Sequence, residues 1–378
     1  MDLAEFVQSM PLLDHHCHYL ISAKAKDRET RLAQVSTEAA NSYPIEDTKN
    51  RLAWWTFKEE AKHFYKKNDQ NFLQPFTKQE YIEYNRSIFR HYNYQMLLID
   101  TGFVPNDPVT SIAETQEITG VTVYTIYRIE THAESWMQKE NSFEKWWQAL
   151  TTDVADAKKN GFVGFKSIAA YRFGLRLKKV AVADAMKAFT SWKESGRTRL
   201  TDATLICFIL WNLAPLLVAQ KMPLQFHVGY GDADTDMFEG NPLLMRSFLN
   251  EWSMKGLIVV LLHCYPYHRE AGYLASVFPN VYFDTSLINP LGPASVVRVL
   301  DEALELAPYS RYLFASDAST YPEMYGVAAK RFKEALIQHF TKLKDVPTEQ
   351  KEQWIRMICY QTSTNLYLKA RNKRENEK

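Results

Sequence analysis

Asp14-His15-His16-Cys17-His18 stands near the start of the chain, behind the apolar pair Leu12-Leu13. If Leu12 to His18 is a strand, alternation points His16 and His18 to one face, and His15 and Cys17 to the other. The two imidazoles then project the same way from backbone positions about 7 Å apart and can grip one metal ion. A lone histidine in such a place is more often a hydrogen-bonded, half-buried side chain. What favours metal here is recurrence: Lys166, His227, His263 and Asp317 also sit at the ends of apolar runs.

Those runs are the elements that must position the chemistry. After Leu12 come the stretches 96–102, 121–128, 162–167, 224–229, 257–263, 281–286 and 312–317, each short and rich in apolar, β-branched or aromatic residues. Most are separated by segments long enough for a crossover helix, such as 143–160, 181–196, 201–219, 243–254 and 294–306. Apolar strands alternating with helices predict a parallel sheet buried on both faces. Eight such units predict a (β/α)₈ TIM barrel of class α/β, whose active site collects at the C-terminal strand ends. An open doubly wound sheet is the alternative, but no Gly-rich turn follows Leu13.

Residues 24–92 break the beat. They are polar and aromatic with helical periodicity, and read as a helical insertion after strand 1. Leaving from the strand end that carries His16 and His18, the insertion is expected to cover the barrel mouth, with Trp54 and Trp55 walling a pocket. Extra helices are expected from Ala328 to about Ala370, and the charged tail 371–378 is expected to fray. No repeat or linker divides the chain, so 1–378 reads as one elaborated domain.

Composition narrows the function class. The hydrophobic fraction is 46% and the charged fraction 24%, as in soluble globular enzymes. Lys+Arg number 45 against 44 Asp+Glu, so no net field draws nucleic acid or an anionic membrane. The four cysteines form no C-x-x-C pair, and their wide spacing suits reduced thiols in the cytoplasm. Residues 1–10 have no basic n-region and do not read as a signal peptide. The most apolar stretch, 205–219, contains Asn212 and Pro215 and reads as a buried helix. The expected partner is a small-molecule substrate; homo-oligomer formation stays open.

The set His-x-His, Lys, His, His, Asp on strands 1, 4, 5, 6 and 8 resembles the metal-dependent hydrolases of the amidohydrolase superfamily. Asp14 to His18, Gly164-Phe165-Lys166-Ser167-Ile168-Ala169-Ala170-Tyr171-Arg172 and Phe314-Ala315-Ser316-Asp317 are similar to its amidohydrolase-related branch. Within that branch they look like the domain fused to glutamine-synthetase-like proteins. The resemblance implies a TIM barrel holding zinc or another divalent ion, with manganese as an alternative. It implies His16, His18, His227 and Asp317 as ligands. His263 is then a ligand in a binuclear site or a catalytic histidine in a mononuclear one. Lys166 becomes a bridging ligand if carbamylated; otherwise it stays an ammonium facing a substrate anion.

The implied reaction is hydrolysis of an amide or similar C–N bond in a small carboxylate-bearing substrate. Asp317 would move the proton and His263 would stabilise the oxyanion. Arg172, with Tyr171 beside it, and Arg128 at a strand end are candidates for the substrate carboxylate. Asp100 and Asp284 also close runs, and Asp284 could orient a histidine or cap a helix. His268 reads as a surface residue, and 229–236 as a solvated loop. Two rivals remain: a one-metal non-oxidative decarboxylase of the same superfamily, and a catalytically inactive barrel serving as a binding module.

Overall fold

The apolar runs fold as strands: β1 Leu12–Cys17, β2 Tyr94–Asp100, β3 Thr122–Arg128, β4 Phe162–Ser167, β5 Leu224–Val228, β6 Val259–His263 and β7 Val281–Phe283. They follow one another in chain order in the sheet. β1 pairs parallel with β2, and so does each successive pair from β3 to β7. Every residue of β1, β5 and β6 is buried, as parallel strands covered on both faces require. The computed structural model describes residues 2–22, 28–40, 42–65, 77–103 and 108–369.

The chain divides into two compact units, each built from two separate stretches. The first holds Met1–Tyr124 with Asp284–Asn365, and the second holds Thr125–Phe283 with Leu366–Lys378, in their described parts.

In the first unit the eighth apolar run, 312–317, lies along β1 but forms no regular strand. The reason is competition for its donors. The Phe314 N–H goes to the carbonyl of Ile358 at 3.2 Å, and the Ser316 N–H goes to the Asp14 carboxylate at 3.0 Å. Only scattered contacts to β1 remain, such as His15 N–H to the Phe314 carbonyl at 3.3 Å. Ile358 belongs to a π-helical stretch, Met357–Gln361, in the C-terminal helices.

The insertion supplies the helices Arg28–Gln34, Ile45–Lys49, Leu52–Phe64 and Lys78–His91. Thr77 opens the last of these with a capping box closed by Glu80. The helices Leu52–Phe64 and Lys78–His91 pack on the long helix Pro322–Lys342. Trp54 is buried, whereas Trp55 is 55% exposed. Trp55 borders a small groove with Val327, Lys330 and Arg331, and carries the Lys58 ammonium over its ring. Residues 24–27, 41 and 66–76 of the insertion, and the tail 371–378, lie outside the described residues.

In the second unit the register aligns Arg128 with Lys166, and Lys166 with Gln225. Outside the strands run Phe143–Asp156, Val182–Glu194, Ala203–Gln220, Arg246–Trp252 and His268–Val277. Ala203–Gln220 is long and apolar enough to cross a membrane by length and composition. Half of it is nevertheless buried in protein. Phe208 meets Phe143 and Trp147 with ring centroids 5.4 and 4.9 Å apart, and Trp211 meets Phe248 at 5.6 Å. All four cysteines are buried and free.

Candidate metal centre

In the first unit the end of β1 meets the end of the eighth run. His16 and His18 each bring Nε2 to 3.2 Å from one oxygen of Asp317, Oδ1. Their rings stand edge to face at 5.1 Å, so the predicted alternation places them on one side. On the other side His15 Nε2 lies 3.0 Å from Asp284, and the Cys17 thiol reaches the Leu98 carbonyl. Asp284 therefore orients a histidine, and it also accepts the Ser286 N–H at 2.8 Å. Burial opposes ionisation of Asp284, but His15 and Ser286 outweigh it and hold the carboxyl below the usual range.

The donor set fits a divalent ion. Donor atoms on a tetrahedral zinc with bonds of 2.0–2.1 Å lie about 3.3 Å apart, close to the 3.2 Å spacings here. Asp100, the last residue of β2, adds a further oxygen. One donor atom each from His16, His18 and Asp100 lie within 4.8 Å of one another. The two imidazoles with the Asp317 oxygen, or with an Asp100 oxygen, give mixed nitrogen and oxygen donors suited to zinc or manganese.

The backbone beneath these groups is strained and tied down. Asp317 has φ 51°, a left-handed conformation that a non-glycine residue holds only when its surroundings enforce it. Asp14, fully buried, accepts from Ser316 N–H and hydroxyl and from the His16 N–H, so one carboxylate grips both ligand-bearing stretches. Burial pushes the Asp14 carboxyl up to about 8 against these donors.

The second unit gathers the other predicted residues. His227 and His263 lie with ring centroids 4.6 Å apart, and Tyr171 packs on His227 at 4.2 Å. Tyr171 needs Gly231: a Cβ there would fall 2.3 Å from the phenol oxygen. His263 and Cys264 hold φ of 69° and 49°, the same kind of strain seen at Asp317. Lys166 is buried in β4 at 2% exposure. Just past it, buried Glu130 accepts from the Ser167 hydroxyl and the Ile168 N–H, fixing the turn after Lys166. Burial raises the Glu130 carboxyl. Arg172 is held at 3.1 Å by Glu134, while its Nε and Nη1 are buried and find no hydrogen-bond partner among the described residues.

Residues 148–368 match the amidohydrolase family (Amidohydro_2), more than half of the chain. This chain belongs to the amidohydrolase family. A crystal structure of a candidate metal-dependent hydrolase from Lactobacillus casei ATCC 334 is 58% identical, with a TM-score of 0.96 over 99% of this chain and 98% of that one. Protein fluG of Emericella nidulans is 27% identical over 97% of this chain. The chain spans 46% of that protein, about half its length. Uronate isomerase from Thermotoga maritima, at 15% identity, shares the fold with a TM-score of 0.67 over 97% of this chain and 96% of that one. The amidohydrolase has the α/β TIM-barrel class expected from its eight runs.

One side chain of this amidohydrolase departs from the sequence reading. His268 is buried at 4% exposure, not at the surface, and stacks parallel to Tyr265. Asp100 was legible as a strand end, but nothing in its local sequence marks it as a donor beside His16 and His18. Asp14 stood in the opening motif without a role of its own, and Glu130 carried no motif; their roles come from residues distant in the chain, Ser316 for Asp14 and Ser167 and Ile168 for Glu130. His132 bonds Asp153, and His339 bonds Asp301 and Tyr309, so both are structural.

Proposed function

We propose that this chain is a zinc- or manganese-dependent hydrolase that cleaves an amide or similar C–N bond in a small carboxylate-bearing substrate. The observation that carries the reading is that His16 and His18 both converge on Asp317 Oδ1 in the first unit, with an Asp100 donor atom also beside the two histidines. A divalent ion held by these residues supplies hydroxide from water at neutral pH and polarises a carbonyl.

The chain's own residues do the rest. Asp317 takes the proton of the attacking water and passes it to the leaving nitrogen as the C–N bond breaks. His227 serves as a further ligand, and His263 either joins it or stabilises the developing oxyanion. Arg172 binds the substrate carboxylate through its buried N–H groups, with Tyr171 and Arg128 as further contacts.

Lys166 decides between one ion and two. Carbamylated by CO₂, it becomes an anionic ligand and recruits a second ion. A second reading is favoured by Asp100. It offers an additional carboxylate without any change to Lys166, as a one-ion decarboxylase would need. Metal analysis of protein purified without chelator, with and without Lys166→Ala, tests both. Two ions per chain, falling in the variant, with bicarbonate restoring activity to wild-type protein stripped of CO₂, supports the hydrolase with carbamylated lysine. One ion, unchanged in the variant, moves the reading to the decarboxylase. No bound ion, and no turnover of N-acyl amino acids or carboxylated cyclic amides with added zinc or manganese, would sink the metalloenzyme reading.

A further inference from the structure

The stretches that carry His18 and Asp317 continue side by side beyond the ligands. Asp317 N–H reaches the His16 carbonyl at 3.1 Å, His18 N–H the Ala318 carbonyl at 2.8 Å, and Thr320 N–H the Tyr19 carbonyl at 2.7 Å. Ile21 N–H then meets the Thr320 carbonyl at 2.9 Å. This zipper is not relaxed, since Thr320 holds φ 63° in addition to the strain at Asp317. Strained backbone persists only where something over-determines it.

Side chains from three helices close on the zipper's far end. Glu323, in the first turn of Pro322–Lys342, is fully buried and ion-paired with buried Arg28. The Tyr84 hydroxyl donates to the same carboxylate at 2.6 Å, and the Arg28 guanidinium lies 5.4 Å from the Tyr84 ring. Tyr81, one turn before Tyr84, donates to the Ile21 carbonyl at 2.8 Å. Tyr325, one turn into the same helix as Glu323, donates to the carbonyl of His18 itself at 2.5 Å.

A buried ion pair is a poor source of stability, because desolvating both charges offsets most of their attraction. It is a good source of fixed geometry. We propose that Arg28, acting through Glu323 and Tyr84, is a positioning residue for the metal centre. It locks the start of the helix Pro322–Lys342, and with it the loop from Asp317, so that Asp317 Oδ1 and His18 Nε2 keep their spacing. Arg28 and Tyr84 come from the insertion after β1, so the insertion has a task in assembling the ligand set. This inference rests on the metal reading above.

The test is a cobalt(II) titration of the purified, metal-free full chain, reading the dissociation constant and the visible d–d spectrum. Arg28→Met combined with Glu323→Leu removes both buried charges, so no uncompensated charge is left to unfold the protein. The expected result is a 10- to 100-fold rise in the cobalt dissociation constant with an altered spectrum and an unchanged far-ultraviolet circular dichroism. Arg28→Lys should recover part of the affinity. Should the double variant not fold, Tyr84→Phe, which removes one hydroxyl, should still weaken binding several-fold and shift the spectrum. Unchanged affinity and spectrum in the folded double variant, or in Tyr84→Phe if the double variant does not fold, would overturn the positioning role alone. Wild-type protein that binds no cobalt would overturn the metal reading and this inference with it.

Discussion

Asp14 holds Ser316 by two contacts, taking its amide N–H at 3.0 Å and its hydroxyl at 2.5 Å. These bonds link the strand of His16 to the run of Asp317 across 302 residues of sequence. They also explain why that run forms no regular ladder with β1.

Removing the Asp14 carboxylate should therefore act on both stretches at once. Asp14→Ala leaves buried donors on Ser316 and His16 unsatisfied, at about 1–3 kcal/mol each. A thermal unfolding midpoint lowered by several degrees is expected, together with reduced metal content by elemental analysis. Asp14→Asn keeps an acceptor for the amides and should lose less of both. A variant Asp14→Ala with wild-type midpoint and metal content would show that the Ser316 contacts contribute nothing.

Asp100 is expected to contribute directly to metal affinity. Its carboxylate sits beside His16 and His18, and also accepts the Gly102 N–H at 3.0 Å. Asp100→Ala should weaken zinc binding by at least about tenfold in a competition titration with a chromophoric chelator. Equal affinity in variant and wild type would remove it from the ligand set.

Arg172 should show its role in substrate affinity. A hydrogen bond between charged partners contributes about 1.5–3 kcal/mol. Arg172→Met should then raise KM for carboxylated substrates by roughly 10- to 100-fold, with a smaller change in kcat. Arg172→Lys keeps the charge but loses the planar fork, and should recover only part of the affinity. An uncharged substrate analogue should be indifferent to either change. If KM rises equally for charged and uncharged substrates, the arginine is structural.

Glu60 predicts a pH effect on stability that is separate from the metal. It is buried against Gly326, where a Cβ would fall 2.5 Å from its Oε1. Burial, opposed by the Tyr92 hydroxyl and by Lys330 and Arg331, pushes its carboxyl up to about 7. The folded state thus binds more protons than the unfolded chain between the unfolded value of 4.5 and about 7. Stability from this group is fully present below the unfolded pKa and is lost as pH rises through the folded one, by up to about 3 kcal/mol. Glu60→Gln should remove that loss and unfold at a higher temperature than wild type at pH 8, with little difference near pH 4.5. The same pH dependence in both proteins would show that Glu60 does not carry it.

The sequence by itself determined most of the elements and named the candidate residues for the site. Apolar runs ending in His, Lys or Asp are local signals, because a strand's period and its polar end are written in a few consecutive residues. Hence seven of the eight strand positions, the shared face of His16 and His18, and the helical character of the insertion were readable, whereas the irregular backbone of 312–317 was not. The relationships that complete the centre were decided by tertiary structure. Asp14 looks like any carboxylate before a histidine until Ser316 is folded against it. Asp100 looks like any strand end until β2 lies beside β1. Arg28 and Glu323 are ordinary helix charges until burial makes them depend on each other. Each of these is a contact between residues distant in the chain, and a buried polar group declares its role only through the partner that folding brings to it.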